Sequence, residues 1–295
     1  MTTSETIATG DGTITLRDSA TGELYHNSAG AYLEAMENYV RPALAGAFPG
    51  ASLRLLDICF GLGYNTFAFI DHVAINNPSI REVEVLAVEA DPGLLPVIAR
   101  VAGQSCFESF PADVSEIILQ AEPSEETKLS FDLKRGEKEP PLHVVLTIAF
   151  ADLRRVVPGL KDDFDLVFHD PFSPSKVPEL WTVDLFSCYQ RLLSKRRGRV
   201  LTYSIASAVR GGLLEAGFVI YRTAAVGRKA GGTVALHRGQ KDLDARSFFE
   251  LDSEELARLA SVSGVPYRDP DFERDRKTIL KLRQAEQDGK RGQAV

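Results

Sequence analysis

Residues Leu55 to Asn65 read Leu-Leu-Asp-Ile-Cys-Phe-Gly-Leu-Gly-Tyr-Asn. Gly61 and Gly63 follow an apolar run that carries Asp57, and they precede a segment with helical spacing. At the carboxyl end of a buried strand, this pattern lets backbone approach a ligand and aims the open N–H groups of a helix N-terminus at an anion. A dinucleotide fingerprint would place a third glycine under the pyrophosphate, but Thr66 stands three residues after Gly63. S-adenosylmethionine has no pyrophosphate. It needs an acid near its ammonium, which Asp57 supplies directly or through the loop, and N–H donors near its carboxylate, where the helix begins at Asn65. The competing reading is a plain tight turn.

Further acids recur at strand ends. Glu89 closes a β-branched run, where a carboxylate accepts the ribose hydroxyls of an adenosine, whether in NAD or in S-adenosylmethionine. Asp91 beside it reads as a helix N-cap. Asp152 follows the next apolar run and is either an acceptor for an adenine amine or another N-cap. Val167-Phe168-His169-Asp170-Pro171-Phe172-Ser173-Pro174 ends a strand on an acid, with two prolines to stiffen the exit. That string presents Asp170 to a cleft. Trp181, the only tryptophan, is either part of that cleft or a core anchor. Tyr25 and His26 precede an N-terminal helix and either close over the methionine end of the cofactor or sit in a structural turn. His72, His143, His169 and His237 have no partner at a useful spacing.

The elements that must carry these residues alternate. Strands are expected at 53–58, 83–89, 142–148, 165–169, 198–203, 218–221 and 233–237, with helices at 65–75, 92–102, 152–157, 178–193 and 205–216. The pattern is α/β: a Rossmann-like methyltransferase fold with a seven-stranded, mostly parallel sheet. Residues 223–232 leave no room for a crossover helix, so the last two strands should form an antiparallel hairpin. That ending is a habit of methyltransferases more than of dehydrogenases. The expected organisation is an N-terminal hairpin and cap helix over 1–45, the methyltransferase domain over 46–240, and a C-terminal helical extension over 241–295. Within it, ten of the 21 residues of 121–141 are charged, which reads as a solvated excursion.

Composition narrows the class. The chain has 295 residues, 44% hydrophobic and 25% charged, as expected of a globular protein. Its start lacks a basic and apolar leader and no run approaches a membrane span, so a cytoplasmic protein without membrane insertion is expected. Cys59, Cys106 and Cys188 are widely spaced, without His at ligand spacing, so neither disulfides nor a bound metal is expected. The net charge of −7 hides a stretch from Arg191 to Lys229 with nine basic residues against one acid, Glu215. As a set they favour a nucleic-acid face, although each alone reads better as a solvated surface residue.

Asp57 to Asn65, the run from Asp170 to Thr182, Gly227-Arg228-Lys229, Tyr25 to Ala31 and the later Val265-Pro-Tyr-Arg-Asp-Pro270 together resemble the MnmC-type tRNA 5-(aminomethyl)uridine methyltransferases. The resemblance spans about Gly10 to Gln287 and is most specific from Asp170 to Trp181. It implies methyl transfer from S-adenosylmethionine to the primary amine of 5-aminomethyluridine, often 2-thiolated, at the wobble position of the tRNA anticodon stem-loop. Fused members add a flavin-dependent oxidoreductase domain; no second Gly-rich strand–helix unit follows here, so no flavin is expected. An alkylamine is mostly ammonium near neutral pH, so the site must favour the neutral amine, and Asp170 is the candidate for accepting its proton. Phe172, Trp181 and Tyr203 are expected to line a slot for the extruded base. Arg196, Arg197, Arg199, Arg210, Arg228 and Lys229 are expected to hold the RNA backbone. The rival readings are aminopropyl transfer to a small polyamine, which has no use for the basic stretch, and an RNA-binding protein with a decayed cofactor site. An NAD-dependent dehydrogenase fits less well.

Overall fold

The computed structural model describes residues 6–46, 50–120, 126–137, 139–161, 163–224, 231–240 and 248–293. The chain separates into two units, residues 1–153 and 154–295. In the first, a short antiparallel hairpin pairs β1 (Thr6–Ala8) with β2 (Ile14–Leu16). Helix α1 (Ala31–Ala35) then passes into one widened π turn over Met36–Val40 and ends in α2 (Arg41–Ala43). The expected single helix is interrupted because Pro42 has no N–H to give to the carbonyl four residues back.

Strands β3 (Ser52–Ile58), β4 (Glu82–Glu89) and β6 (Leu142–Phe150) are parallel neighbours in the order β3-β4-β6. Leu53, Leu55, Leu56 and Ile58 are all buried, as in a strand covered on both faces. Helix α3 (Tyr64–Asn76) follows β3 and is buried almost all round, from Tyr64 to Ala74, because α1 and the π turn cover its outer side. Helices α4 (Leu95–Ala102) and α5 (Val114–Gln120) follow β4. The charged segment after them corrects the expectation of a solvated excursion. Its described part contains β5 (Glu126–Leu133), antiparallel to β6, with Thr127, Leu129 and Leu133 buried and Glu126, Lys128, Ser130 and Asp132 exposed. An edge strand with one solvated face needs only that period-two alternation, and the charges protect its open side.

After α6 (Leu153–Val156), the second unit holds β7 (Leu166–His169), α7 (Val183–Leu192), β8 (Arg199–Thr202), α8 (Ser207–Glu215), β9 (Val219–Thr223), β10 (Thr233–Leu236) and β11 (Phe248–Phe249). β7 and β8 are parallel, and β10 lies antiparallel between β8 and β9. The expected hairpin of the last two long strands is therefore present. With β5 and β11 added, nine strands follow the N-terminal hairpin among the described residues, rather than seven.

The C-terminal helices α9 (Ser253–Ala260) and α10 (Arg276–Gln293) are fixed by the segment between them. The Val183 N–H donates to the Tyr267 carbonyl at 3.0 Å, and the Asp269 N–H donates to Asp184 Oδ2 at 2.6 Å. Arg268 reaches Glu286 on α10 and Glu215 on α8, while the Arg283 guanidinium stacks 4.8 Å from the Tyr267 ring centroid. The Val265-Pro-Tyr-Arg-Asp-Pro270 string thus latches the extension to α7 and α8.

Candidate active site

The turn from β3 to α3 depends on backbone that few residues tolerate. Cys59, Gly61 and Gly63 have φ of 61°, 56° and 89°, in the left-handed region that suits glycine. The Gly63 N–H donates to the Phe60 carbonyl at 3.0 Å, and the Phe67 N–H closes the first helical turn on the Gly63 carbonyl at 2.9 Å. A Cβ on Gly63 would stand 2.6 Å from the Phe67 ring and 2.9 Å from the Phe60 ring, and one on Gly61 would meet Tyr25 at 3.1 Å. Asp57 is fully buried and accepts the Thr66 hydroxyl at 2.6 Å. It holds the start of α3, so its bearing on a ligand runs through the loop and not through direct exposure. Asn65 lies buried in that first turn.

Glu89 reaches this loop from the end of β4. Its Oε2 accepts the Gly61 N–H at 2.8 Å, and its Oε1 accepts the N–H groups of Ala90 and Asp91 at 2.8 and 3.0 Å. Burial raises the Glu89 pKa, and these three donors oppose that shift. A carboxylate offers roughly four lone-pair positions, so capacity remains for a further hydroxyl. Tyr25 is half-buried with its ring against Gly61. Burial first, and then the charge of Glu89, push its phenol far above the ordinary value, so it stays a neutral donor. Asp152 is half-exposed directly before α6, and the adjacent Ala151 N–H donates to the Glu89 carbonyl at 2.8 Å. Asp91 accepts the Gly93 N–H at 2.8 Å and caps a short turn, as expected. The helix start, glycine turn and buried strand-end carboxylate suit an adenosine-bearing sulfonium, with Tyr25, Gly61, Gly63, Asn65, Glu89 and Asp152 as the residues that would hold it.

In the second unit, Asp170 leaves β7 half-exposed, followed by buried Pro171. The Tyr203 hydroxyl donates to the Pro171 carbonyl at 3.0 Å, and the Trp181 indole N–H donates to the Phe172 carbonyl at 2.8 Å. The Trp181 ring lies edge-on to His169 at 4.5 Å and to Tyr203 at 5.8 Å. Being 0% exposed, Trp181 does not present a face for a base, which corrects its place in the expected slot. An indole with an internal acceptor for its N–H packs well inside. Phe172 and Tyr203 remain half-exposed. His169 is fully buried with Tyr189 Oη 2.9 Å from its Nδ1, and burial lowers its pKa to about 3, so the ring is neutral.

The basic stretch is divided. Arg199 and Arg210 are buried; Arg210 pairs with Glu255 at 2.7 Å, and Arg199 lies over the Phe248 ring. Arg197 makes two hydrogen bonds to Asp165, at 2.5 and 3.0 Å. Arg191 donates to the carbonyls of Leu160 and Pro158, and Arg222 to that of Glu250. Arg197, Arg199 and Arg210 are therefore corrected from RNA contacts to internal partners. Lys195 and Arg196 are exposed on the turn before β8, whereas Arg228 and Lys229 lie outside the described residues. Sequence reasoning missed Thr66 as the anchor of Asp57, although a hydroxyl nine residues after a strand-end acid and one turn into a helix was a legible signal. Among the described residues no cluster of three or more His, Cys, Asp or Glu could hold a metal, and no helix is long and apolar enough to cross a membrane.

Residues 128–238 match the family model described as S-adenosyl-L-methionine-dependent methyltransferase. The crystal structure of MNMC2 from Aquifex aeolicus is similar with a TM-score of 0.72 and 29% identity, over 96% of this chain and 84% of that one. An uncharacterized protein of Methanocaldococcus jannaschii is 28% identical over 94% of this chain and 71% of its own length. The tRNA 5-methylaminomethyl-2-thiouridine biosynthesis bifunctional protein MnmC of Ralstonia nicotianae is 31% identical over 72% of this chain, which covers 31% of that relative's length. The chain thus spans about a third of the bifunctional relatives that it matches. The glycine turn, the buried strand-end acid and these likenesses agree: the chain carries an S-adenosylmethionine-dependent methyltransferase domain and is similar to MnmC-type proteins.

Proposed function

We propose that the chain transfers a methyl group from S-adenosylmethionine to the primary amine of 5-aminomethyl-(2-thio)uridine at the tRNA wobble position. It would act in the cytoplasm on the anticodon stem-loop. The observation that carries this reading is Asp170 at the end of β7, followed by a loop that is tied at two successive carbonyls by Tyr203 and Trp181. Bound S-adenosylmethionine supplies an activated methyl on a sulfonium. Asp170 accepts a hydrogen bond from the neutral amine and holds its lone pair in one direction, and the proton that the alkylated nitrogen releases passes by way of Asp170 to solvent. The neighbouring His169 ring is neutral. Phe172, half-exposed on that loop, would contact the base, and the exposed Lys195 and Arg196 would serve the phosphates.

The test is direct. The protein is incubated with labelled methyl donor and tRNA bearing 5-aminomethyluridine, and the nucleosides are then separated after digestion. Labelled 5-methylaminomethyluridine is expected. Absence of that nucleoside, or label on a polyamine instead, would overturn the assignment.

A further inference from the structure

Two aromatic side chains expected at the base hold the backbone beside Asp170. Pro171 has no N–H, so the peptide that joins Asp170 to it offers no donor, and the next peptide, between Pro171 and Phe172, is held at its carbonyl by Tyr203 Oη at 3.0 Å. The next carbonyl, that of Phe172, is gripped by the Trp181 indole at 2.8 Å. The two donors come from different places, Tyr203 from the end of β8 and Trp181 from the turn before α7. Two consecutive peptide planes are therefore fixed from two elements, and with the proline φ this leaves Asp170 little freedom beyond its own side-chain torsions.

Tyr203 is itself anchored. The Ser204 carbonyl after it accepts the Thr233 hydroxyl at 2.7 Å, and Thr233 Oγ1 accepts Arg210 Nε at 2.9 Å. Arg210 in turn holds Glu255 of α9 at 2.7 Å. Behind Trp181, the His169 and Tyr189 rings close the packing. A tyrosine whose backbone is bound on one side and whose hydroxyl is engaged on the other acts as a strut.

We infer that Tyr203 is a positioning residue for methyl transfer: through the Pro171 carbonyl, and with Trp181 at Phe172, it sets the direction of the Asp170 carboxylate. The inference deepens the proposed function and rests on it for its kinetic consequence. Tyr203→Phe keeps the ring and removes only the donor. It should lower kcat at least tenfold, with the KM for tRNA and the Kd for S-adenosylmethionine within twofold of wild type. In an Asp170→Asn background the same change should alter turnover less than twofold, because Tyr203 acts through Asp170. Amide exchange over 172–177 should accelerate about fivefold at an unchanged Tm, and Trp181→Phe should give the same local acceleration.

A raised KM with unchanged kcat would make Tyr203 a substrate contact and overturn the inference. So would a tenfold loss that persists without Asp170, or exchange that does not change. A wild-type protein that yields no methylated nucleoside would refute the proposed reaction; the exchange comparison would still decide whether Tyr203 fixes the loop.

Discussion

Replacing Gly63 by alanine perturbs the cofactor turn at its most constrained point. At φ 89° an alanine occupies the left-handed region, which costs about 1–2 kcal/mol relative to the right-handed one. The new methyl would also fall 2.6 Å from Phe67 and 2.9 Å from Phe60. Both rings are buried, and they pack edge to face with centroids 5.8 Å apart, so neither can swing into open space. Relief of such overpacking typically costs about 1–3 kcal/mol more. The sum, about 2–5 kcal/mol, should appear as a lower urea midpoint with an unchanged slope. Because Gly63 caps α3, the displaced turn should also weaken S-adenosylmethionine at least tenfold by calorimetry. Gly159→Ala is the control: nothing lies within 4 Å of its added carbon, and its stability should stay within about 0.5 kcal/mol. A loss below about 1 kcal/mol in Gly63→Ala, with cofactor affinity intact, would refute the account of the turn.

Three other outcomes follow from separate parts of the structure. Asp170→Asn should lower turnover about 100-fold, with S-adenosylmethionine affinity within threefold, as read by single-turnover kinetics and calorimetry. His26 and His169 are held neutral by burial, with pKa values lowered from 6.5 to about 4 and about 3. The unfolded chain therefore takes up protons that the native one refuses, and stability should fall as pH drops below 6.5. Urea titrations from pH 6.5 to 5 should show that slope reduced by up to one proton in His26→Gln. Lys195→Ala and Arg196→Ala should each reduce the salt dependence of tRNA binding by about one counterion, whereas Arg197→Ala, which breaks the pair with Asp165, should instead lower the urea midpoint.

The main strands and helices were legible because burial on both faces leaves an apolar run, as in Leu53 to Ile58, or because every second residue is buried, as with Leu142, Val144, Leu146 and Ile148. β5 was obscured by counting its charges without asking how they alternate. Thr127, Leu129, Phe131 and Leu133 stand at every second position, which is all that an edge strand requires. The short β11 is two residues long and carries too little pattern to be read. The break in the N-terminal helix was marked by Pro42, but a widened turn instead of a stop depends on how the rest of the helix is buried against α3.

The candidate site was legible where backbone chemistry restricts residue type and illegible where a side chain had a choice of partners. Glycine at Gly61 and Gly63, and the acid at Glu89, follow from left-handed turns and from N–H groups that need an acceptor, so their positions could be read in advance. Trp181, Tyr203 and the arginines are amphipathic, and sequence does not say which end finds a partner inside the fold. Arg210 shows the consequence: it contributes one charge to the basic stretch in a linear count, yet lies 3% exposed between Thr233 and Glu255. A buried guanidinium paired with a carboxylate adds no net charge to a surface, and removing one partner of such a pair is strongly destabilising. Among the described residues of this stretch, the electrostatic argument for RNA therefore passes to Lys195 and Arg196, the adjacent cations exposed on the turn that leads into β8. Through β8 the same turn is continuous with Tyr203, four residues beyond Arg199, so the segment that would meet phosphate ends in the hydroxyl that holds Pro171.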